Sequence, residues 1–127
     1  MSELHSENKK KVILVDDDHQ IRRILERALG DQFNLHCFTE ASGVVRLLED
    51  SKADFLIIDI ILPGQSGLET ILEIKALHPR IKIIAVSSSD SELLRAKIFH
   101  IDHTITKPLN QEKIKQLISY LSRDSDA

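Results

Sequence analysis

Hydrophobic residues along the chain fall into two alternating kinds of segment. Val12-Ile13-Leu14-Val15, Phe55-Leu56-Ile57-Ile58 and Ile83-Ile84-Ala85-Val86 are unbroken apolar runs, the pattern of strands buried on both faces. Phe33, Leu35 and Cys37 alternate with polar neighbours, which predicts a half-exposed strand near a sheet edge. His103-Thr104-Ile105-Thr106 predicts a short last strand. Between these runs the apolar spacing changes to three and four. Ile21, Ile24, Leu25, Ala28 and Leu29 make a first helix stripe, stopped by Gly30. Val44, Val45, Leu47 and Leu48 predict a second helix, with Thr39 or Ser42 as its cap. Leu68, Ile71, Leu72 and Lys75 mark a third, ending before Pro79. Leu93, Leu94, Lys97 and Ile98 mark a short fourth, capped by Asp90 or Ser91. Ile114, Leu117, Ile118 and Leu121 mark a fifth, capped by Asn110.

Five strands alternating with five helices predict parallel βαβ units with right-handed crossovers, and a sheet covered by helices on both faces. The pattern predicts one domain over 10–122, a polar lead over 1–9 that is mobile, and a short fraying tail over 123–127. In a parallel sheet every strand C-terminus reaches the same edge, where open α/β sheets bind ligands. Asp16, Asp17 and Asp18 follow the first strand, Asp59 ends the third, Ser87 the fourth, and Lys107 follows the fifth. Crowded carboxylates repel and raise a pKa unless a cation is present. Their oxygens favour a hard cation, magnesium best and manganese as a substitute, with a position left for a phosphate oxygen. The Lys107 ammonium would pair with Asp59 or with a bound anion. A metal, an ammonium and a hydroxyl around one carboxylate suit phosphoryl transfer onto it. Asp18 reads as an acid complementing a helix start.

Composition narrows the classes. The 127 residues, 42% hydrophobic and 29% charged, fit one ordinary domain with a core of its own. A net charge of −3 gives no electrostatic footing for direct nucleic-acid binding. Cys37, the only cysteine, excludes an intramolecular disulfide and a cysteine metal site, and reads as buried filler. No apolar run is long enough to span a membrane, and the polar first eleven residues lack the centre of a signal peptide; a cytoplasmic setting is expected. The histidines are scattered, and the closest pair, His100 and His103, spans a loop and a strand rather than one helix face.

Four motifs stand in order: Val15-Asp16-Asp17-Asp18, Asp59-Ile60-Ile61-Leu62-Pro63-Gly64-Gln65-Ser66-Gly67-Leu68-Glu69, Ala85-Val86-Ser87-Ser88, and Thr106-Lys107-Pro108-Leu109. Over about residues 10–121 the chain resembles the response-regulator receiver domain of two-component signalling. The resemblance implies a flavodoxin-like doubly wound sheet of strand order 2-1-3-4-5. It implies that Asp59 accepts a phosphoryl group from a sensor histidine kinase or a histidine phosphotransfer protein. Asp17 would ligate magnesium directly and Asp16 through a bound water, with Asp59 and the Ile61 carbonyl completing the protein ligands. Ser87 would bind the phosphoryl group, Lys107 would pair with it, and the bond before Pro108 would be cis.

Two departures bear on output. Thr104 stands where the family often has an aromatic rotor, and His100-Ile101 where Gly-Ala is common. The usual exit, through the fourth helix, fifth strand and fifth helix, therefore lacks its bulky switch residue. Part of the apolar cluster Leu93, Leu94, Phe99 and Ile101 is a candidate effector or phosphorylation-dependent dimer surface. An aspartyl-phosphate hydrolase using magnesium would need a second acid where Ile60-Ile61 stand, and a cap. A pseudo-receiver that serves only as an interaction module would lack the acid pair, Asp59 or Lys107. A flavin-type module would need a Gly/Ser/Thr-rich phosphate loop after Val15. The expectation is a phosphorylation-operated switch that acts by protein contact and is not an enzyme on a metabolite. It is either stand-alone or the receiver portion of a longer regulator.

Overall fold

The three unbroken apolar runs become the middle of the sheet. In the computed structural model, which describes residues 9–50, 52–62, 66–99 and 101–123, strands and helices alternate. In chain order they are β1 (Lys11–Val15), α1 (His19–Leu29), β2 (Asn34–Phe38), α2 (Val44–Asp50), β3 (Phe55–Asp59), α3 (Gly67–Leu77), β4 (Lys82–Ser87), α4 (Asp90–Lys97), β5 (His103–Thr106) and α5 (Gln111–Arg123). The sheet is parallel in the order β2-β1-β3-β4-β5, as expected. The flavodoxin-like reading therefore stands. The expected lead and tail, Pro63, Gly64 and His100 lie largely or wholly outside the described residues.

Strand alternation divides the core in two. Ile13, Val15, Leu56, Ile58, Ile83 and Ala85 face α2, α3 and α4, packing on Val44, Leu48, Ile71, Ile74, Leu93 and Ala96. Val12, Leu14, Phe55, Ile57, Ile84 and Val86 face α1 and α5, packing on Leu25, Leu29, Leu117 and Leu121. Every residue of β3 is buried, whereas β2 at the edge is half-covered. The central strand is thus a rigid mount for whatever follows it.

Several sequence expectations need correction. Leu72 is 45% exposed, whereas Ile74 is fully buried; three residues beyond Ile71, Ile74 returns to the same helix face, and Leu72 turns 100° off it. On α4 the inward pair is Leu93 and Ala96, leaving Leu94 and Ile98 63% and 71% exposed. The cap of α4 is Ser89, whose hydroxyl accepts the Glu92 N–H at 3.3 Å, rather than Asp90 or Ser91. Ser42, expected near the start of α2, donates its hydroxyl to Glu40. Asn110 does cap α5, its side-chain oxygen accepting the Lys113 N–H at 2.9 Å. Among the described residues no helix is long and apolar enough to cross a membrane.

Gly67 fixes how closely α3 approaches the end of β3. Its N–H donates to the Ile60 carbonyl at 2.9 Å. A Cβ there would meet the Asp59 carbonyl oxygen at 2.5 Å and the Ile60 Cα at 2.6 Å, both backbone. Backbone cannot swing aside as a side-chain tip can. Gly67→Ala is expected to lose about 1–3 kcal/mol of stability through overpacking, measured by urea unfolding; an unchanged midpoint would show that α3 can retreat freely.

Candidate functional site

The strand ends bring Asp16, Asp17, Asp59 and Lys107 together. Asp16 and Asp59 are buried and Asp17 is exposed, with one oxygen of each lying within 4.8 Å of the others. Among the described residues this is the one cluster of three such groups able to hold a metal. Lys107 spans it: Nζ lies 2.8 Å from Asp59 Oδ2 and 3.1 Å from Asp16 Oδ2, donating to Asp16 Oδ1 at 3.3 Å.

Backbone bonds continue past the strand ends and set these side chains. The Asp16 N–H donates to the Phe38 carbonyl, that of Ile60 to Val86, and that of Lys107 to Ser87, all at 2.9–3.0 Å. Each carboxylate also accepts from the turn after it: Asp16 Oδ1 from the Asp18 N–H and Asp59 Oδ1 from the Ile61 N–H, both at 2.9 Å. Asp18 caps α1 by accepting the Gln20 N–H, the helix-start role expected of it. Arg22, one turn into α1, donates to the Asp16 carbonyl at 2.9 Å and so clamps the loop that carries the acid pair.

Ser87 is fully buried at the end of β4, one residue beyond Val86, the register partner of Asp59. Its oxygen accepts the Ser89 N–H at 3.1 Å, so its hydroxyl hydrogen is available to a ligand oxygen. Thr104 is half-buried and pairs in register with Ala85. Ile105 joins the α1/α5 core, so alternation turns Thr104 toward the α4 side. His103 stacks on Tyr120, ring centroids 4.8 Å apart, which gives it packing work on α5. Cys37 is half-buried, its thiol pushed up to about 11 by burial and then by Glu26, surroundings that disfavour the thiolate.

Charge balance in the cluster is incomplete. Burial pushes the Asp16 carboxyl up to about 6, against the Asp18 N–H that lowers it; the Asp59 charge adds to the rise and Lys107 opposes it. For Lys107, burial alone would lower the ammonium, but the Asp59 hydrogen bond and the two negative charges hold it above its ordinary value. Asp16 Oδ2 is buried and, though within ion-pair distance of Lys107, accepts no hydrogen bond among the described residues. An orphaned carboxylate oxygen in an all-oxygen cluster fits a hard divalent cation such as magnesium.

Sequence reasoning missed Arg22, Gly67 and Ser89. Arg22 carries no local signal, since it acts on a carbonyl six residues back. For Gly67 the signal was present in a glycine opening the helix that follows the loop after the acidic strand, but only the fold shows what approaches it.

A family model described as the response regulator receiver domain matches residues 12–119. Among solved structures, the chain is similar to a CheY-like response regulator receiver domain protein from Methanospirillum hungatei. The identity is 23%, the match covers 94% of this chain and 95% of that one, and the TM-score is 0.82. The beryllofluoride-activated DrrB receiver domain matches at 23% identity over 94% and 99% of the two chains, TM-score 0.81. The response regulator TrrA from Thermotoga maritima, in complex with magnesium and beryllofluoride, matches at 25% identity over 88% and 98%, TM-score 0.78.

The raised Asp16 pKa sets a stability test. Between about pH 4 and the folded value of about 6 the native state keeps a proton that the unfolded chain releases, so Asp16 costs increasing stability as pH rises through that window. In chelator, Asp16→Asn should gain stability relative to the parent as pH rises from about 4 to 7, by denaturant titration. A difference that does not vary with pH would contradict the buried-charge account.

Proposed function

Since the chain belongs to the response regulator receiver domain family, we propose that it is a phosphorylation-operated switch of two-component signalling, with Asp59 as the acceptor. The observation that carries this reading is Lys107 bridging Asp59 and Asp16 inside an all-oxygen cluster. The phosphoryl donor is a phosphohistidine on a sensor kinase or phosphotransfer protein. A carboxylate oxygen of Asp59 attacks phosphorus; the new P–O bond forms as the P–N bond breaks, and its electron pair returns to the imidazole. Lys107 leaves Asp59 Oδ2 and follows the negative charge onto a phosphoryl oxygen. Ser87 turns its hydroxyl hydrogen to another of these oxygens.

Magnesium held by Asp16, Asp17, Asp59 and the Ile61 carbonyl, with manganese as a substitute, would stabilise the charge on the transferring oxygens. The TrrA complex with magnesium and beryllofluoride supports that choice of cation. Drawing Ser87 and Lys107 toward the phosphoryl group biases a two-state equilibrium in the neighbouring loops and helices. Reversing that equilibrium from 1:99 to 99:1 requires about 5.5 kcal/mol of differential interaction. The domain assists only its own phosphorylation and dephosphorylation, and it signals in the cytoplasm by contact with an effector protein.

Incubation with acetyl phosphate and magnesium should add one phosphoryl group, seen by intact mass, and Asp59→Ala should take none. An unmodified parent chain, or equal modification of Asp59→Ala, would sink the assignment. Thr104→Tyr should change effector affinity in the phosphorylated form, since that position faces the α4 side beside the pocket; indifference in a binding assay would mean the signal leaves elsewhere.

A further inference from the structure

Lys113 lies outside the acidic cluster and has no carboxylate partner among the described residues. It sits in the first turn of α5, where a positive charge opposes the helix dipole. A locally unfavourable residue calls for a compensating contact, and the fold supplies one. Its Nζ donates to the Thr106 carbonyl at 2.7 Å and to the Pro108 carbonyl at 3.3 Å. These two carbonyls flank Lys107, and the bond between Lys107 and Pro108 is cis. The Lys107 N–H is separately fixed on the Ser87 carbonyl at 2.9 Å. The backbone around Lys107 is therefore tied on one side to β4 and on the other to α5, and α5 itself begins at the Asn110 cap.

We propose that Lys113 is a positioning residue for Lys107: by bonding the carbonyls on either side of it, Lys113 aims the Lys107 ammonium at Asp59 and the arriving phosphoryl group. Lys107 has a long, flexible stem, so its reach to Asp59 depends on where its own backbone is held. Charge-assisted bonds from an ammonium are the stronger kind, and with three donors Lys113 can serve both carbonyls at once. The inference rests on the phosphoryl-transfer reading for its kinetic consequence, but its structural consequence is independent of it.

The test compares Lys113→Ala, Lys113→Arg and Lys115→Ala, an exposed neighbour on the same helix, with the parent chain. Lys113→Ala should slow phosphorylation by acetyl phosphate about tenfold, the scale of a small misplacement at a reacting centre, without weakening magnesium binding. Lys113→Arg, which keeps the donors, should recover most of the rate, and Lys115→Ala should match the parent. Hydrogen exchange of the Lys107 amide should quicken in Lys113→Ala alone, whether or not the chain accepts a phosphoryl group. A parent that takes no phosphoryl group would defeat the function assigned above, and the amide exchange would still decide the clamp. Unchanged Lys107 exchange in Lys113→Ala would overturn this proposal. So would parental phosphorylation by Lys113→Ala, an arginine variant as slow as the alanine one, or magnesium affinity lost in step with the rate.

Discussion

One ammonium among three carboxylates is the constraint on which the rest of this molecule depends. Buried like charges are costly, and removing one partner of a buried pair is costlier still. Lys107 meets Asp59 at 2.8 Å and shares itself with Asp16, yet burial still holds the Asp16 carboxyl above its ordinary pKa, and one of its oxygens accepts no hydrogen bond among the described residues. The site is thus held short of neutrality. Under the proposed function a divalent cation would relieve that imbalance, and a phosphoryl group would give Lys107 a second destination.

Holding such a site in place requires rigidity behind it. Four-residue apolar runs in β1, β3 and β4 are sealed by helices from both sides. The backbone pairing runs one step past the strands at Asp16, Ile60 and Lys107, so the acids and the lysine stand where the ladder ends. Beyond that step the supports become individual: Arg22 on the Asp16 carbonyl, Gly67 against Asp59 and Ile60, and Lys113 on the carbonyls around Lys107. These contacts come from α1, α3 and α5, so the pocket is supported by helices on both faces of the sheet.

The α4 side of the sheet leaves apolar surface open to solvent. Thr104 carries no large ring, while Leu94 on α4 and Ile98, the residue just after it, remain well exposed. Phe99 and Ile101, part of the same apolar group in the sequence, pack against the core instead. The apolar surface left exposed is therefore smaller than the apolar count of this stretch suggests.

Strand identity and the membership of the acidic cluster could be read from the chain itself, because alternation, burial runs and turn residues are local and the parallel arrangement collects strand ends at one edge; the order β2-β1-β3-β4-β5 came only with the resemblance to the receiver family. Asp16, Asp17, Asp59 and Lys107 needed only that geometry. The inward faces of short helices were read less well: a one-residue choice between Leu72 and Ile74, or between Leu94 and Ala96, depends on which neighbour lies beneath. Arg22, Gly67 and Lys113 were decided only in three dimensions. Their partners are backbone atoms, and a carbonyl brought near by folding leaves no mark in the sequence of side chains.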